Sequence, residues 1–232
     1  MNIDTATLGA TVTAIGALGL AACALVDTSK TLPGGGVSNV GFASIEAAVN
    51  LFFPTAPKQT NAPNLAGSFL YTLHANWISG MAAADQKAVA KSLIKLRLTP
   101  GTSRQFAVVT QVDPTVLEEV ARRMTTGEKL EAQHTNALGR FDLALTAILD
   151  AAYQRADQRY RNVSRLWAAV VSLMLAVLGG FAISDPALAY FGTSQMWQAL
   201  FCGLLAVPLA PITKDLTSAL TAGVKVAQSL KR

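Results

Sequence analysis

The chain has 232 residues, of which 51% are hydrophobic and only 14% charged, with a mean hydropathy of +0.36. About a quarter of residues are charged in an ordinary soluble domain, so this balance argues against that class and for a bilayer environment. The net charge of +5 would suggest nucleic acid for a soluble protein, whereas in a membrane protein it faces anionic lipid and sets orientation.

From Ala6 to Val26 the sequence carries no charge and is long enough to cross a hydrocarbon core of roughly 30 Å. Leu20-Ala21-Ala22-Cys23 resembles a lipoprotein cleavage box, but the residues before the run contain Asp4 and no Lys or Arg, so a retained span is expected. Gly9, Thr13, Ala17 and Ala21 form a stripe of small residues along it. Such stripes let transmembrane backbones approach closely, within the chain or between copies. Cys23 and the second cysteine, Cys202, both lie in apolar runs and read as small hydrophobes.

A breaker-rich turn, Leu32-Pro33-Gly34-Gly35-Gly36, precedes Phe42, Ile45, Val49 and Phe52, which fall on one helical face. That segment is too short to span and predicts a helix on the membrane surface or packed under a bundle. No Gly-Lys-Ser/Thr follows the glycines, so they read as a turn and not a phosphate loop. Pro54, Pro57 and Pro63 mark a linker. Helical periodicity resumes at Phe69, Leu70, Leu73, Trp77 and Ile78, and a basic helix over 83–98 carries Lys87, Lys91 and Lys95. These lysines suit a solvated face, or a nucleic-acid reader that lacks any distinct recognition helix. His74 is a lone histidine on a helix and is read as structural.

Thr99-Pro100 and Asp113-Pro114 are caps followed by proline at the first helical position, predicting short helices over 100–111 and 114–125. Thr125 and Glu128 predict a capping box that opens the next helix. From about Glu128 onward there is no proline until Pro186. One continuous helix, on the order of 80 Å at 1.5 Å per residue, is expected to run into a second uncharged span, Leu166 to Ile183. Leu138, Phe141, Leu145, Ile148 and Ala152 have the spacing of a coiled-coil seam, or of a face packed on the preceding short helices. Arg155, Arg159, Arg161 and Arg165 form a collar suited to anionic headgroups.

Met196 to Ile212 is the third apolar run. Trp167, Tyr190 and Trp197 stand near the ends of the last two spans, where aromatic rings favour the headgroup level. Pro208 and Pro211 should bend or break the helix. Beyond them an amphipathic helix sets Ile212, Leu216, Leu220 and Val224 against Thr213, Lys214, Thr217, Thr221 and Lys225. Its polar face could lie on the bilayer, pack on the bundle or line a pore.

All 19 Lys and Arg lie between the first and second spans or after the third. The positive-inside rule then sets the N-terminus outside, the long intermediate region inside, the short loop outside and the C-terminus inside. The expected organisation is all-α: a polytopic membrane protein with three transmembrane helices and a cytoplasmic bundle that includes the long helix continuous with the second span. Its parts are span one at 1–27, turn, interfacial helix and linker at 28–64, short-helix bundle at 65–126, long helix and span two at 127–184, outer loop at 185–195, span three at 196–212, and amphipathic helix at 213–232.

Paired intramembrane ionisable groups, Cys/His metal spacings, nucleophile elbows and phosphate loops are all missing from the sequence, so no enzyme, cofactor or metal is expected. Phe141-Asp142, Asp150, Tyr153, Arg155, Tyr160 and Arg161, leading into a span, a short loop with Asp185-Pro186 and a final span, resemble the C-terminal part of some uncharacterised bacterial membrane proteins. The resemblance implies a prokaryotic cytoplasmic membrane and brings no activity. A self-associating scaffold presenting its bundle to a cytoplasmic protein, with itself and anionic lipids as partners, is the expected function. The alternatives are a homo-oligomeric pore and a membrane-tethered nucleic-acid binder.

Overall fold

The computed structural model describes residues 5–32, 35–53, 65–184 and 190–229, with side chains excepted at 5–8, 65–67, 216–217 and 220–229. Pro33 and Gly34 of the glycine turn, the 54–64 linker and Asp185-Pro186 of the outer loop lie outside the described residues. Every regular element described is helical: α1 Thr5–Thr28, a short 3-10 turn Ser29–Thr31, α2 Ser38–Asn50, α3 Leu65–Ile78, α4 Ala83–Leu96, α5 Pro100–Thr110, α6 Pro114–Thr126, α7 Ala132–Ile183 and α8 Ser194–Ser229. They divide into two compact units, one made of residues up to Val37 and from Arg161 onward, the other of Ser38–Tyr160.

The first unit is apolar. Three helical stretches, Gly9–Thr31, a window within Ala132–Ile183, and Ser194–Asp215, are long and apolar enough to cross a membrane, as the sequence predicts. Only 22%, 11% and 22% of those windows is buried, so most of their side chains face outward. Trp167, Met174, Leu178, Phe201 and Leu204 are among the exposed ones. In water such a surface would be strongly unfavourable, and in lipid it is the expected solvent-facing layer.

Small residues hold this unit together. A β-carbon on Gly19 of α1 would collide with the carbonyl of Ala206 on α8, and one on Gly16 with Thr213. Ala22, Val26, Ala206 and Ala210 are buried in the same unit. On the other side of α8, a β-carbon on Gly203 would come within 2.8 Å of the Leu173 Cα on α7. There the Ser172 hydroxyl donates to the Gly203 carbonyl at 2.8 Å. Backbones this close gain dispersion and interhelical hydrogen bonding, the two terms left when lipid cancels the hydrophobic drive between helices. Pro208 and Pro211 lie inside α8, which runs as one helix from Ser194 to Ser229, so of the bend or break that the sequence reading expects, the break does not occur. Apolar surroundings and adjacent helices make interior prolines tolerable in a spanning helix.

The second unit is a bundle with its own core. Phe42, Ile45, Val49 and Phe52 are buried on the face that their spacing predicts. The α2 helix therefore packs inside this unit and does not lie alone on a surface. Leu73 of α3, Ile94 of α4, Phe106 of α5 and Leu117 of α6 complete the core against Phe141, Leu145 and Leu149 of α7. Phe106 stacks on Phe141 with ring centres 6.1 Å apart and meets Phe52 edge-on at 5.3 Å. The heptad-like seam on α7 is thus covered by short helices of the same chain, the second of the two uses its spacing allowed.

Local signals explain the helix ends. Asp113 caps α6, its carboxylate accepting from the backbone N–H of Thr115 at 2.9 Å and of Val116 at 3.1 Å. The Thr99 N–H donates to Thr102 Oγ1 at 3.0 Å at the start of α5. The expected capping box at Thr125 does not form. Thr125 donates back to the Ala121 carbonyl, and α6 continues to Thr126 before closing on Gly127 at φ 76°. Glycine reaches that left-handed conformation without steric cost. Helix α7 therefore opens at Ala132 instead of near Glu128, and His134 in its first turn accepts the Glu131 N–H on Nδ1 at 3.2 Å.

Candidate functional site

Within the bundle, α2 and the adjoining part of α7 enclose an open groove of about 600 Å3. Its α2 wall is Ala43, Ser44, Ala47, Ala48 and Leu51. Opposite them, α7 supplies Ile148, Arg155, Gln158 and Arg159. The groove exists because α2 touches α7 closely at one line and presents short side chains beside it. At that line a β-carbon on Gly41 would approach Trp77 Cζ2 to 2.7 Å and the Ala156 carbonyl to 2.8 Å. Trp77 is locked in place by donating its indole N–H to the Ser38 carbonyl at 2.9 Å. Alanines at 43 and 47 then leave room where longer side chains would have filled the gap.

One end of the groove is apolar, at Leu51 and Ile148, and the other is cationic. Arg155 Nε donates to the Ala151 carbonyl of its own helix, at 3.1 Å. Among the described residues, neither Arg155 nor Arg159 is within salt-bridge distance of a carboxylate. Two guanidiniums at i and i+4 share one helix face and can converge on a single anion. All four arginines of the collar are exposed, and only Arg155 and Arg159 line the groove. The four arginines of the collar are therefore not equivalent.

The lysines of α4 stay partly solvated, and they also make ion pairs that the sequence does not announce. Lys91 and Lys95 both grip Asp142 at 2.6 Å, and Lys87 grips Asp150 at 2.6 Å. They are the α4 half of an ion ladder to α7. A second network ties Arg122 and Arg123 to Glu119, with Glu128 joined to Arg122 and Glu131 to Arg123. The Arg122 and Arg123 guanidiniums hold the Glu119 carboxyl down to about 2. Neither carboxylate of the ladder signals itself in sequence, since α5 and α6 separate each from its lysines.

In the apolar unit, the expected packing stripe is mostly outward. Gly9, Ala17 and Ala21 are exposed, and Thr13 is half-buried with its hydroxyl on the Gly9 carbonyl at 2.9 Å. The line of contact with α8 instead passes through Gly16 and Gly19, a three-residue spacing in the same glycine-rich segment. Thr213 is 2% exposed and belongs to that contact, while Lys214 is exposed. The side chains of Thr217, Thr221 and Lys225 lie outside the described residues. Among the described residues no three His, Cys, Asp or Glu side chains converge as a metal site. Compared with known proteins, the chain matches no family model, no curated protein and no solved structure.

Proposed function

We propose that this chain is a non-enzymatic membrane scaffold of a prokaryotic cytoplasmic membrane: three spans anchor it, and α7 carries the helical bundle on the inner face for a protein partner. The observation that carries this reading is the division of the chain into an outward-apolar unit and a bundle with an independent core. The positions of Lys and Arg favour an N-terminus outside and a C-terminus inside; that orientation needs α1 and α8 to run parallel, whereas their contact pairs Gly16 with Thr213 and Gly19 with Ala206 in antiparallel order, so the charge distribution alone supports it. Self-association is supported by the exposed stripe at Gly9, Ala17 and Ala21, which the other spans of the same chain leave uncovered.

The other functions have less support. A pore lined by the polar face of α8 would lose Thr213 to the contact with Gly16. A nucleic-acid reader would have to draw Lys87, Lys91 and Lys95 away from Asp142 and Asp150. Single-cysteine variants in sealed, right-side-out vesicles test the scaffold's topology. An impermeant maleimide should label Ser194→Cys from outside and reach Lys129→Cys only after the vesicles are opened; the opposite pattern would overturn the orientation. A strictly monomeric particle in mild detergent would overturn self-association.

A further inference from the structure

The two long edges of α2 border opposite charges that do not meet within one chain. We infer that the face of α2 beside the groove is an interface between two copies of this chain, whose α2 helices pack side by side and parallel so that Glu46 of each reaches Arg155 of the other.

The shape comes from α2. Val40, Ala43, Ala47 and Leu51 recur at steps of three and four, and all four are exposed although none is polar. Two alanines between a valine and a leucine let a second helix approach closely at the centre and be held by larger side chains at the ends. Ile148 of α7 continues this apolar strip beside Leu51.

Charge decides what covers it. Asn39 Oδ1 is 3.2 Å from His74 Nε2 on α3, so this edge of α2 faces α3, and Glu46, two turns further on, lies along the same edge. Arg155 and Arg159 stand across the opposite edge, on the α7 wall of the groove. None of the three is within salt-bridge distance of an opposite charge among the described residues. Helices α2 and α7 run antiparallel here, since Gly41 meets Ala156 and Tyr160 while Leu51 lines the groove with Ile148. Midway between Gly41 and Leu51, Glu46 is therefore level with Arg155 to within a helical turn.

Two-fold symmetry allows two arrangements of paired α2 helices. If they run antiparallel, both α7 edges fall on the same side and their arginines repel. If they run parallel, the α7 edge of each copy falls beside the α3 edge of the other, and Glu46 meets Arg155 twice. A foreign helix would have to bring its own carboxylate, whereas a second copy supplies one at the right level. In the scaffold reading, copies inserted in one direction into one bilayer are related by an axis along its normal, and helices lying along such an axis run parallel. The inference rests on that reading for the shared direction of the copies, and on the α2 face for where they meet.

The test is cross-linking of the full chain in its membrane, with Cys23→Ala and Cys202→Ala as background and Val40→Cys, Ala47→Cys or Leu51→Cys added singly. A short bismaleimide should join each variant into a dimer, because in parallel packing every position on this face meets its own equivalent. Leu143→Cys, exposed on another side of α7, should stay monomeric. A yield confined to Ala47→Cys would mean antiparallel packing and overturn the inference. So would a cross-link from Ala47→Cys to a different protein, which would place a foreign helix on this face.

In the Ala47→Cys chain, Glu46→Arg should lower the dimer yield by about fivefold or more, and adding Arg155→Glu should restore it to within about twofold. No restoration in a chain of native helicity would overturn the ion pair. Self-association itself fails with a different signature, a monomeric particle in mild detergent and no cross-link at any position. A dimeric particle that gives no cross-link on this face overturns the α2 interface alone.

Discussion

Gly16 of α1 lies so close to Thr213 of α8 that a β-carbon on the glycine would overlap the threonine side chain. Thr213 is buried by this approach, and three residues further along α1 Gly19 lies against the Ala206 carbonyl in the same way. The two spans therefore meet through backbone and small side chains, with α8 crossing α1 over the segment that contains Pro208 and Pro211.

This contact predicts opposite outcomes for two glycines on one helix. Gly19→Ala forces a methyl into a backbone carbonyl and should cost about 1–3 kcal/mol, as overpacking does. Gly9→Ala meets nothing within 4 Å and should be neutral or stabilising by up to about 1 kcal/mol through helix propensity. Thermal midpoints of the two variants in the same detergent measure the difference, and equal midpoints would contradict the packing described.

The α4–α7 ladder predicts that Asp142→Asn weakens the bundle more than Asp150→Asn does. Asp142 serves two lysines and Asp150 one, and partly exposed pairs of this kind are worth about 0.2–1 kcal/mol each. A double-mutant cycle with Lys91→Met should return a coupling of a few tenths of a kcal/mol. It should shrink as salt is added.

Core truncation at the aromatic cluster should be far more damaging. Phe106 is fully buried between Phe52 and Phe141, and Phe106→Ala should destabilise the bundle by about 3–5 kcal/mol. Much of a domain's total stability of roughly 5–15 kcal/mol would be lost. Near-native protease resistance of the bundle in this variant would show that the cluster does not hold it together.

The pH dependence follows from Glu119. Its folded value of about 2 is below that of an unfolded glutamate at ~4.3. The unfolded state therefore binds the proton first, and the contribution to stability is present above about pH 4 and lost as pH falls toward 2. Glu119→Gln should flatten the pH profile of the thermal midpoint in that window and lower the midpoint at neutral pH. A parallel profile in the variant would assign the acid sensitivity elsewhere.

Hydropathy and period are summed over neighbouring residues, which is why the apolar helices, the buried face of Phe42, Ile45 and Val49 and the caps at Thr99 and Asp113 were legible without coordinates. The Arg155 and Arg159 pair was legible as charge, but the groove beside it was not. Ala43 and Ala47 become a wall only once Gly41 lets α2 settle against Ala156. Choosing Gly16 and Gly19 over the stripe at Gly9, Thr13, Ala17 and Ala21 was likewise beyond the sequence, since several lines of small residues on one helix are equivalent until a neighbouring backbone selects one.

By itself the amino-acid sequence determined the helical class, the three apolar stretches and the placing of charge around them. Tertiary structure decided which cations are neutralised and which stay open. The lysines of α4 find their carboxylates 63, 51 and 47 residues away, a pairing set by how helices pack and by nothing local to either partner.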